Sequence, residues 1–240
     1  MSEKPVLLSE HRDGVLWLVL NRPAAANALD EALQDALVHG LEGAAEDGGV
    51  RAVVLAASGE RIFSAGADLK EFAELGEDAM KRRRRAILRR TLLAFIDFPK
   101  PMVAAIQGKA LGAGCFLAWL ADEVLASTEA ELGLPEIRHD MPSPVGVAMA
   151  LARSGRGAAH RLAQTGEPLS AAQARELGLV DLVCEKGRLT GEAQLRAAAL
   201  GRHAGHAYTV NKRWLNAGLR VALDEAFADA ERAQRPAHST

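Results

Sequence analysis

The stretch Lys100–Phe116 reads KPMVAAIQGKALGAGCF. Its apolar run Met102–Ile106 predicts a buried strand, and the apolar residues after Gly114 predict a helix that continues through Leu120. The small residues of the intervening turn fit two interpretations. They leave free N–H groups at the helix N-terminus for a bound group, or they let the helix pack closely on the strand. A strand followed directly by a helix is typical of α/β layering.

The same alternation of strands and helices extends in both directions along the chain. Asp30 and Ser170 predict helix N-caps, and helical patterns dominate from about Ser143 onward. Further strands are predicted at Val15–Leu20, Val50–Ala57, Glu123–Ala126 and Leu179–Val183. We therefore predict an α/β fold with a core over residues 1–185 and a helical C-terminal region over residues 186–240.

Composition restricts the class of protein. The 240 residues carry 29 Lys and Arg against 31 Asp and Glu, which argues against nucleic acid or an anionic membrane as the main partner. Only Cys115 and Cys184 are present, too few for a disulfide framework. His203 and His206 without a third ligand predict no metal site. The N-terminus lacks the apolar run of a signal peptide and no stretch reads as a membrane span, so we expect a cytoplasmic protein.

Two other segments contain residues suited to chemistry. The turn Ile62–Lys70, IFSAGADLK, offers N–H groups to an anion or a developing oxyanion, although taken alone it reads more simply as a tight strand-to-helix connection. In Leu132–Ile137, LGLPEI, the carboxyl of Glu136 stands among apolar residues. Partial burial would raise its pKa and suit it to proton transfer, although taken alone a glutamate after Pro135 reads more simply as a residue stabilised by a helix N-terminus.

Together these segments resemble the enoyl-CoA hydratase/isomerase family, the crotonase superfamily, from residue 5 to residue 235. The resemblance rests on NRPAAANAL at Asn21–Leu29, FSAGADLKE at Phe63–Glu71, KPMVAAIQGKALGAGC at Lys100–Cys115, LGLPEI at Leu132–Ile137, AQARELGLVDLV at Ala172–Val183 and Asn211-Lys212-Arg213. It implies a crotonase-like spiral of β-β-α units, with a helical C-terminal region that assembles trimers or hexamers.

The resemblance also implies the roles of particular residues. The N–H groups of Ala67 and Ala113 would bind the thioester oxygen of an acyl-CoA and stabilise its enolate, with Glu136 as the acid/base. The substrate-binding positions would be Ala24, Ala26, Ala65, Ala67, Asp68, Leu69, Lys70 and Phe116. Coenzyme A enters as part of the substrate, so no separate cofactor is expected.

Phe116 is the main departure from the family pattern. Hydratases of the family have the first of two glutamates there, and phenylalanine can neither hold nor activate water. One remaining carboxylate, Glu136, can still move a proton from C2 to C4. We therefore expect Δ3,Δ2-enoyl-CoA isomerisation. The alternatives are hydration, decarboxylation or thioester hydrolysis through the same enolate, and a non-catalytic acyl-CoA binder.

Three further features carry weaker expectations. Arg82, Arg85 and Arg89 share one helix face, which is either solvated or attracts the phosphates of coenzyme A. His139 and Asp140 are expected at the surface. Family members usually continue past the last predicted helix with a tail that helps to close the acyl site. The sequence therefore gives no expectation for how this site is closed or which acyl chain it takes.

Overall fold

The structure is a computed structural model that describes residues 4–71 and 76–233. The strands are β1 (Leu7–Arg12), β2 (Val15–Leu20), β3 (Ala52–Ala57), β4 (Ile62–Ser64), β5 (Met102–Ile106), β6 (Lys109–Leu111), β7 (Glu123–Ser127), β8 (Glu131–Gly133), β9 (Leu169–Ser170) and β10 (Leu182–Cys184). The helices are α1 (Glu31–Glu46), α2 (Glu77–Asp97), α3 (Ala113–Trp119), α4 (Pro144–Ser154), α5 (Arg156–His160), α6 (Ala171–Glu176), α7 (Lys186–Gly201) and α8 (His206–Arg232).

A repeated β-β-α unit organises the chain. In the units β3-β4-α2 and β5-β6-α3, the first strand joins a six-stranded sheet of order β1-β2-β3-β5-β7-β10. The second strand joins a four-stranded sheet of order β4-β6-β8-β9. Strands β7 and β8 continue this pattern, and a 3₁₀ helix at Pro135–His139 follows them. Because successive units add parallel neighbours to both sheets, the chain advances as the spiral that the resemblance implies.

Local sequence signals account for the main elements. The Asp30 side chain accepts a hydrogen bond from the Leu33 N–H and begins α1, whose leucines are buried. Ser170 and Gln173 form a reciprocal capping box at the start of α6. Strands β2 and β5 have the predicted bounds.

The predicted bounds of three strands are wrong, and five strands were missed. β7 ends at Ser127 rather than Ala126, and β10 ends at Cys184 rather than Val183. β10 begins at Leu182 rather than Leu179, because the N–H groups of Leu179 and Val180 bond to Ala174 O and belong to the turn that ends α6. β3 begins at Ala52 rather than Val50, whose N–H bonds to Asp47 O in the turn after α1. Strands β1, β4, β6, β8 and β9 were not predicted.

The two faces of the six-stranded sheet are covered by different helices. Leu18, Leu55 and Ile106 belong to the larger core, which includes residues of α1, α2 and α3. Trp17 belongs to a second core with three residues of α7, and its indole N–H donates to Gln194 Oε1 at 2.6 Å. Helix α7 begins immediately after the predicted boundary at residue 185, yet it packs on the sheet. The division into two regions stays a prediction.

Helix α8 packs on α4 and α2 and is fastened by a buried lysine. Lys212 Nζ donates to Asp122 Oδ2 at 2.7 Å and to Lys100 O at 3.0 Å. The outer face of α8 exposes Trp214, Leu215 and Val221. Within the described residues, no helix combines the length and the apolar character that crossing a membrane requires.

Candidate active site

The first site loop follows β4 and presents the N–H of Ala67. Leu29 pairs with Ala67 in an isolated parallel bridge, in which Leu29 N–H bonds to Gly66 O at 2.8 Å and Asp68 N–H to Leu29 O at 3.2 Å. Since both bonds of this bridge are made by Leu29, the N–H of Ala67 points away from it. Among the described residues, no acceptor takes this N–H.

The second site loop is the turn that opens α3. Gly112 has a φ of +50°, and its N–H bonds to Gly133 O at 2.9 Å, which ties the turn to the end of β8. Ala113 is the first residue of α3, so its N–H has no carbonyl one helical turn earlier to bond to. It too finds no acceptor in the part of the chain that the structure describes.

The two loops touch at a glycine. A Cβ at Gly66 would lie 2.7 Å from Leu111 O and 3.2 Å from Ala113 N, so only glycine permits this approach. Gly66 also has a φ of +89°, a conformation that glycine adopts without strain. The structure thus brings the free N–H groups of Ala67 and Ala113 onto adjacent backbones, and their role in binding a thioester oxygen stays a prediction.

Glu136 lies beside the same turn. A Cβ at Gly112 would be 2.8 Å from Glu136 Oε1, which places the carboxyl directly next to the residue that precedes Ala113. Glu136 Oε2 is buried and has no hydrogen-bond partner within residues 4–71 and 76–233. Burial raises the pKa of Glu136, because a carboxylate loses hydration there without gaining a cation. A partly buried carboxyl with a raised pKa therefore stands next to the turn in which the Ala113 N–H is free.

A network centred on Arg22 holds the first loop in place. Its guanidinium lies 2.8 Å from Asp30 Oδ2 and 3.2 Å from Asp68 Oδ2 and donates to Ala28 O. Burial alone would raise the pKa of Asp68, but the Lys70 N–H and the Arg22 guanidinium lower it below the usual range. The Asp68 carboxylate accepts the hydrogen bond of the Lys70 N–H at 3.1 Å, and residues 72–75, which follow this turn, lie outside the described residues.

Buried polar groups fix the path of the chain behind that loop. The Asn27 side chain donates to Ser58 O and Ile62 O and accepts from Arg22 N–H. Ser64 Oγ donates to Asn27 O at 2.9 Å and lies 3.2 Å from Gly66 N, which donates to it. These contacts explain why the polar residues Asn27 and Ser64 occur inside an otherwise apolar core.

Phe116 is buried one helical turn beyond Gly112. Its ring atom Cε1 would be 3.4 Å from a Cβ at Gly146, and Leu134 Cδ1 would be 3.1 Å from the same point. The ring therefore fills the space between α3 and α4 with hydrocarbon. Neighbouring Cys115 is also fully buried, and burial raises the pKa of its thiol, so it packs as a small apolar residue.

The predicted coenzyme A positions line neighbouring loops. The Ala65 N–H bonds to Ala26 O at 3.0 Å, which joins the loop before α1 to the loop after β4. The exposed members of the set are Ala24, Ala65, Ala67, Leu69 and Lys70. Their role in binding coenzyme A stays a prediction.

The arginines of α2 face two directions. Arg82, Arg85 and Arg89 line a cleft against α8, and Arg89 pairs with Asp224 at 2.6 Å. The neighbouring Arg84 donates to Glu71 O at 2.6 Å, next to the first loop. Neither Arg84 nor Arg22 has a sequence signal of its own for these contacts. Arg84 belongs to a basic run, and Arg22 stands inside the segment Asn21–Leu29.

Two other polar residues considered from sequence end the 3₁₀ helix that contains Glu136, with the Asp140 N–H bonded to the Glu136 carbonyl. His139 and Asp140 are exposed, as predicted. Within the described ranges, no group of three His, Cys, Asp or Glu side chains is arranged to hold a metal ion.

Comparison with known proteins identifies relatives over nearly the whole chain. Residues 10–239 match the family described as enoyl-CoA hydratase/isomerase. The 2,3-dehydroadipyl-CoA hydratase of Escherichia coli is 40% identical over 223 residues, covering 92% of this chain and 86% of that protein. The short-chain-enoyl-CoA hydratase of Clostridium acetobutylicum is 31% identical over 224 residues, covering 92% of this chain and 85% of that protein.

A solved structure shows the same fold. The carnitinyl-CoA dehydratase from Mycobacterium avium is 34% identical and superposes with a TM-score of 0.82, covering 97% of this chain and 91% of that one. The crotonase-like α/β architecture predicted from the motifs is therefore confirmed. With its ordered motifs, spiral fold and nearly full-length matches, the chain belongs to the enoyl-CoA hydratase/isomerase family of enzymes that act on acyl-CoA thioesters.

Proposed function

We propose that the protein isomerises 3-enoyl-CoA thioesters to 2-enoyl-CoA thioesters. The Glu136 carboxylate removes a proton from C2, the electron pair moves onto the thioester oxygen as a dienolate, and the Ala67 and Ala113 N–H groups stabilise that oxygen. The same carboxyl group then returns the proton to C4, and the double bond re-forms between C2 and C3. No atom is gained or lost, and no cofactor beyond the coenzyme A of the substrate takes part.

The carboxyl of Glu136 is the observation that carries this proposal. The residue is partly buried, its buried Oε2 has no partner among the described residues, and the carboxyl lies against the turn that contains one of the two free amides. Burial raises its pKa, which brings the acid and base forms closer in free energy near neutral pH. When these two forms are close in free energy, one carboxyl group can both remove the proton from C2 and return it to C4.

Phe116 supports isomerisation over hydration. Addition of water needs a polar group that holds the water molecule opposite the acid/base. The hydrocarbon ring of Phe116 stands where the resemblance places the first glutamate of hydratases, and it is buried against Gly146. A 1,3-proton transfer needs no second carboxylate.

Hydration is the second candidate, and the names of the relatives favour it. Both curated relatives described above are hydratases, at 40% and 31% identity. The two reactions share the enolate and the amides and differ in whether water enters the product.

The experiment incubates the purified protein with 3-hexenoyl-CoA and follows the ultraviolet absorbance of the conjugated thioester. Isomerisation raises this absorbance with no change of product mass, whereas hydration of 2-hexenoyl-CoA adds the mass of one water. We expect Glu136→Gln to lower the isomerisation rate by about 10²–10⁴-fold.

Glu131→Gln is the matched control, because Glu131 is paired with Lys109 at 2.8 Å on β8, away from the cavity that Glu136 lines. The Glu131→Gln variant should isomerise 3-hexenoyl-CoA at the wild-type rate. Hydrated product as the main product would establish the second candidate instead. Tight binding with no turnover of either substrate would leave a non-catalytic acyl-CoA binder.

A further inference from the structure

A cavity of about 850 Å³ adjoins the carboxyl of Glu136. The 3₁₀ helix Pro135–His139, α4, the π-helical turn Arg161–Thr165 and α8 form its walls. Most of its lining side chains are apolar, among them Met141, Val147, Leu151 and Leu219. Its volume is within the range of clefts that bind small organic ligands, and it is open to solvent on the side where Ile137, Met141 and Leu151 are exposed.

Charge is distributed unevenly in this cavity. The polar side chains in the lining are Glu136, Ser143, Gln164 and Asp229, and none of the described lining residues carries a positive charge. Asp229 stands near the end of α8 and pairs with Arg232 at 3.1 Å, with both side chains more than half exposed. Arg232 itself is not part of the lining.

We propose that this cavity selects acyl-CoA thioesters with a neutral, apolar acyl chain and rejects those whose chain ends in a carboxylate. The inference rests on the proposed function in one respect: the reacting carbons lie at Glu136, so the chain beyond them extends into the adjoining cavity. A terminal carboxylate would lose hydration among apolar side chains without meeting a cation. Asp229 adds a like charge to the lining of the same cavity.

The inference separates this chain from one of its relatives. The name of the Escherichia coli protein, 2,3-dehydroadipyl-CoA hydratase, gives it a substrate derived from a dicarboxylic acid. The residues that line the cavity here offer such a chain end no cation and only the neutral donors Ser143 and Gln164, so 40% identity does not transfer that preference.

The test measures binding rather than turnover. Hexanoyl-CoA and adipyl-CoA have chains of equal length, carry no double bond to isomerise and differ in the terminal carboxylate. We expect isothermal titration calorimetry to show hexanoyl-CoA binding on the order of 100-fold more tightly, since a buried unpaired carboxylate is strongly penalised.

Two charge reversals on α8 locate the effect. Asp229→Lys places a cation at the cavity. It should reduce the preference for hexanoyl-CoA by about tenfold, the factor that corresponds to one pKa unit. Glu225→Lys makes the same charge change on an exposed position of α8 that does not line the cavity. It should leave the preference unchanged.

Each result decides the inference. Equal binding of the two ligands, or tighter binding of adipyl-CoA, would overturn it. Equal effects of Asp229→Lys and Glu225→Lys would remove Asp229 as a selecting residue. If the preference is found but 3-hexenoyl-CoA is not isomerised, the cavity has been assigned correctly and only the proposed reaction is wrong.

Discussion

At the scale of single residues, burying the Glu136 carboxylate costs free energy of folding, and no hydrogen bond to its Oε2 compensates for that cost among the described residues. Its Oε2 is buried without a partner, and burial raises its pKa. The folded protein therefore binds a proton at Glu136 more readily than the unfolded chain does. As pH rises from the pKa of the unfolded chain to that of the folded protein, this residue makes the fold less stable. A residue retained at such a cost is a candidate for chemistry rather than for structure.

The raised pKa predicts the pH dependence of the reaction. The carboxylate is the form that removes the C2 proton, so kcat/KM should rise with pH along an acid limb. Because burial raises the pKa of Glu136, the midpoint of this limb should lie above that of a solvated glutamate. The measurement is kcat/KM for 3-hexenoyl-CoA across the acidic and neutral range.

Glu131→Gln should keep the same limb, since Glu131 is a partly exposed ion-pair residue. A limb at the usual pKa of a glutamate would contradict the assignment of Glu136 as a buried base.

At the scale of elements, the site depends on how closely two loops approach each other. The backbone of Gly66 lies against Leu111 and Ala113, and no side chain fits between them. Neither loop forms a site alone. The pair exists because β4 and β6 are neighbours in the four-stranded sheet.

Gly66→Ala should separate the two amides. The new Cβ would lie 2.7 Å from Leu111 O, and alanine is strained at a φ of +89°. We expect kcat/KM to fall by about 10²-fold, comparable to the loss of one oxyanion donor. Rates are compared per folded protein, with folding checked by circular dichroism.

The control is Gly43→Ala on α1, where a Cβ would meet nothing within 4 Å. This variant should keep full activity and gain up to ~1 kcal/mol of stability from helix propensity. Full activity in Gly66→Ala would show that the approach of the loops does not control the reaction.

The sequence predicts the strands that have a continuous apolar run better than the others, and β1, although as long as β2, was missed because it is mostly exposed and polar. β2, β5 and the cap at Asp30 carry strong local signals, which explains their agreement with the structure. β4, β6 and β8 have three residues each, too few to show any alternation. Their identity as strands comes from pairing with one another, which is a long-range property.

The same limit applies to the site. The raised pKa of Glu136 was foreseen as one of two interpretations, because a carboxyl among apolar residues is visible in the sequence. Its contact with Gly112 joins residues far apart in the chain and has no local signal. The link from Arg22 to Asp68 is equally non-local. From the sequence, only the resemblance to a family indicated that the segments containing these residues form one site.

At the scale of the whole molecule, α8 is held to the sheet by a buried ion pair. Lys212 is 4% exposed and contacts both Asp122 and the backbone before β5. Burial lowers the pKa of Lys212 and the neighbouring Asp122 opposes this change. Asp122 also accepts the Met102 N–H at 2.7 Å, so one carboxylate joins α8 to the start of a central strand.

Lys212→Ala should destabilise the fold by about 2–3 kcal/mol, because it leaves the partly buried Asp122 without its cation but with the Met102 N–H still bound. Urea unfolding at neutral pH measures the free energy of unfolding. Arg196→Ala is the comparison: Arg196 pairs with Glu123 through two hydrogen bonds but is half exposed, so its loss should cost under ~1 kcal/mol. Equal losses in the two variants would refute the anchoring role of Lys212.

The outer face of α8 also bears on assembly, which the resemblance predicts to be trimeric or hexameric. Of the three tryptophans, Trp17 and Trp119 are buried, whereas Trp214 on α8 is 73% exposed to solvent. Any blue shift of the intrinsic fluorescence as the protein is concentrated must therefore originate at Trp214. The native chain contains its own optical reporter for whether, and at what concentration, copies of it cover that surface.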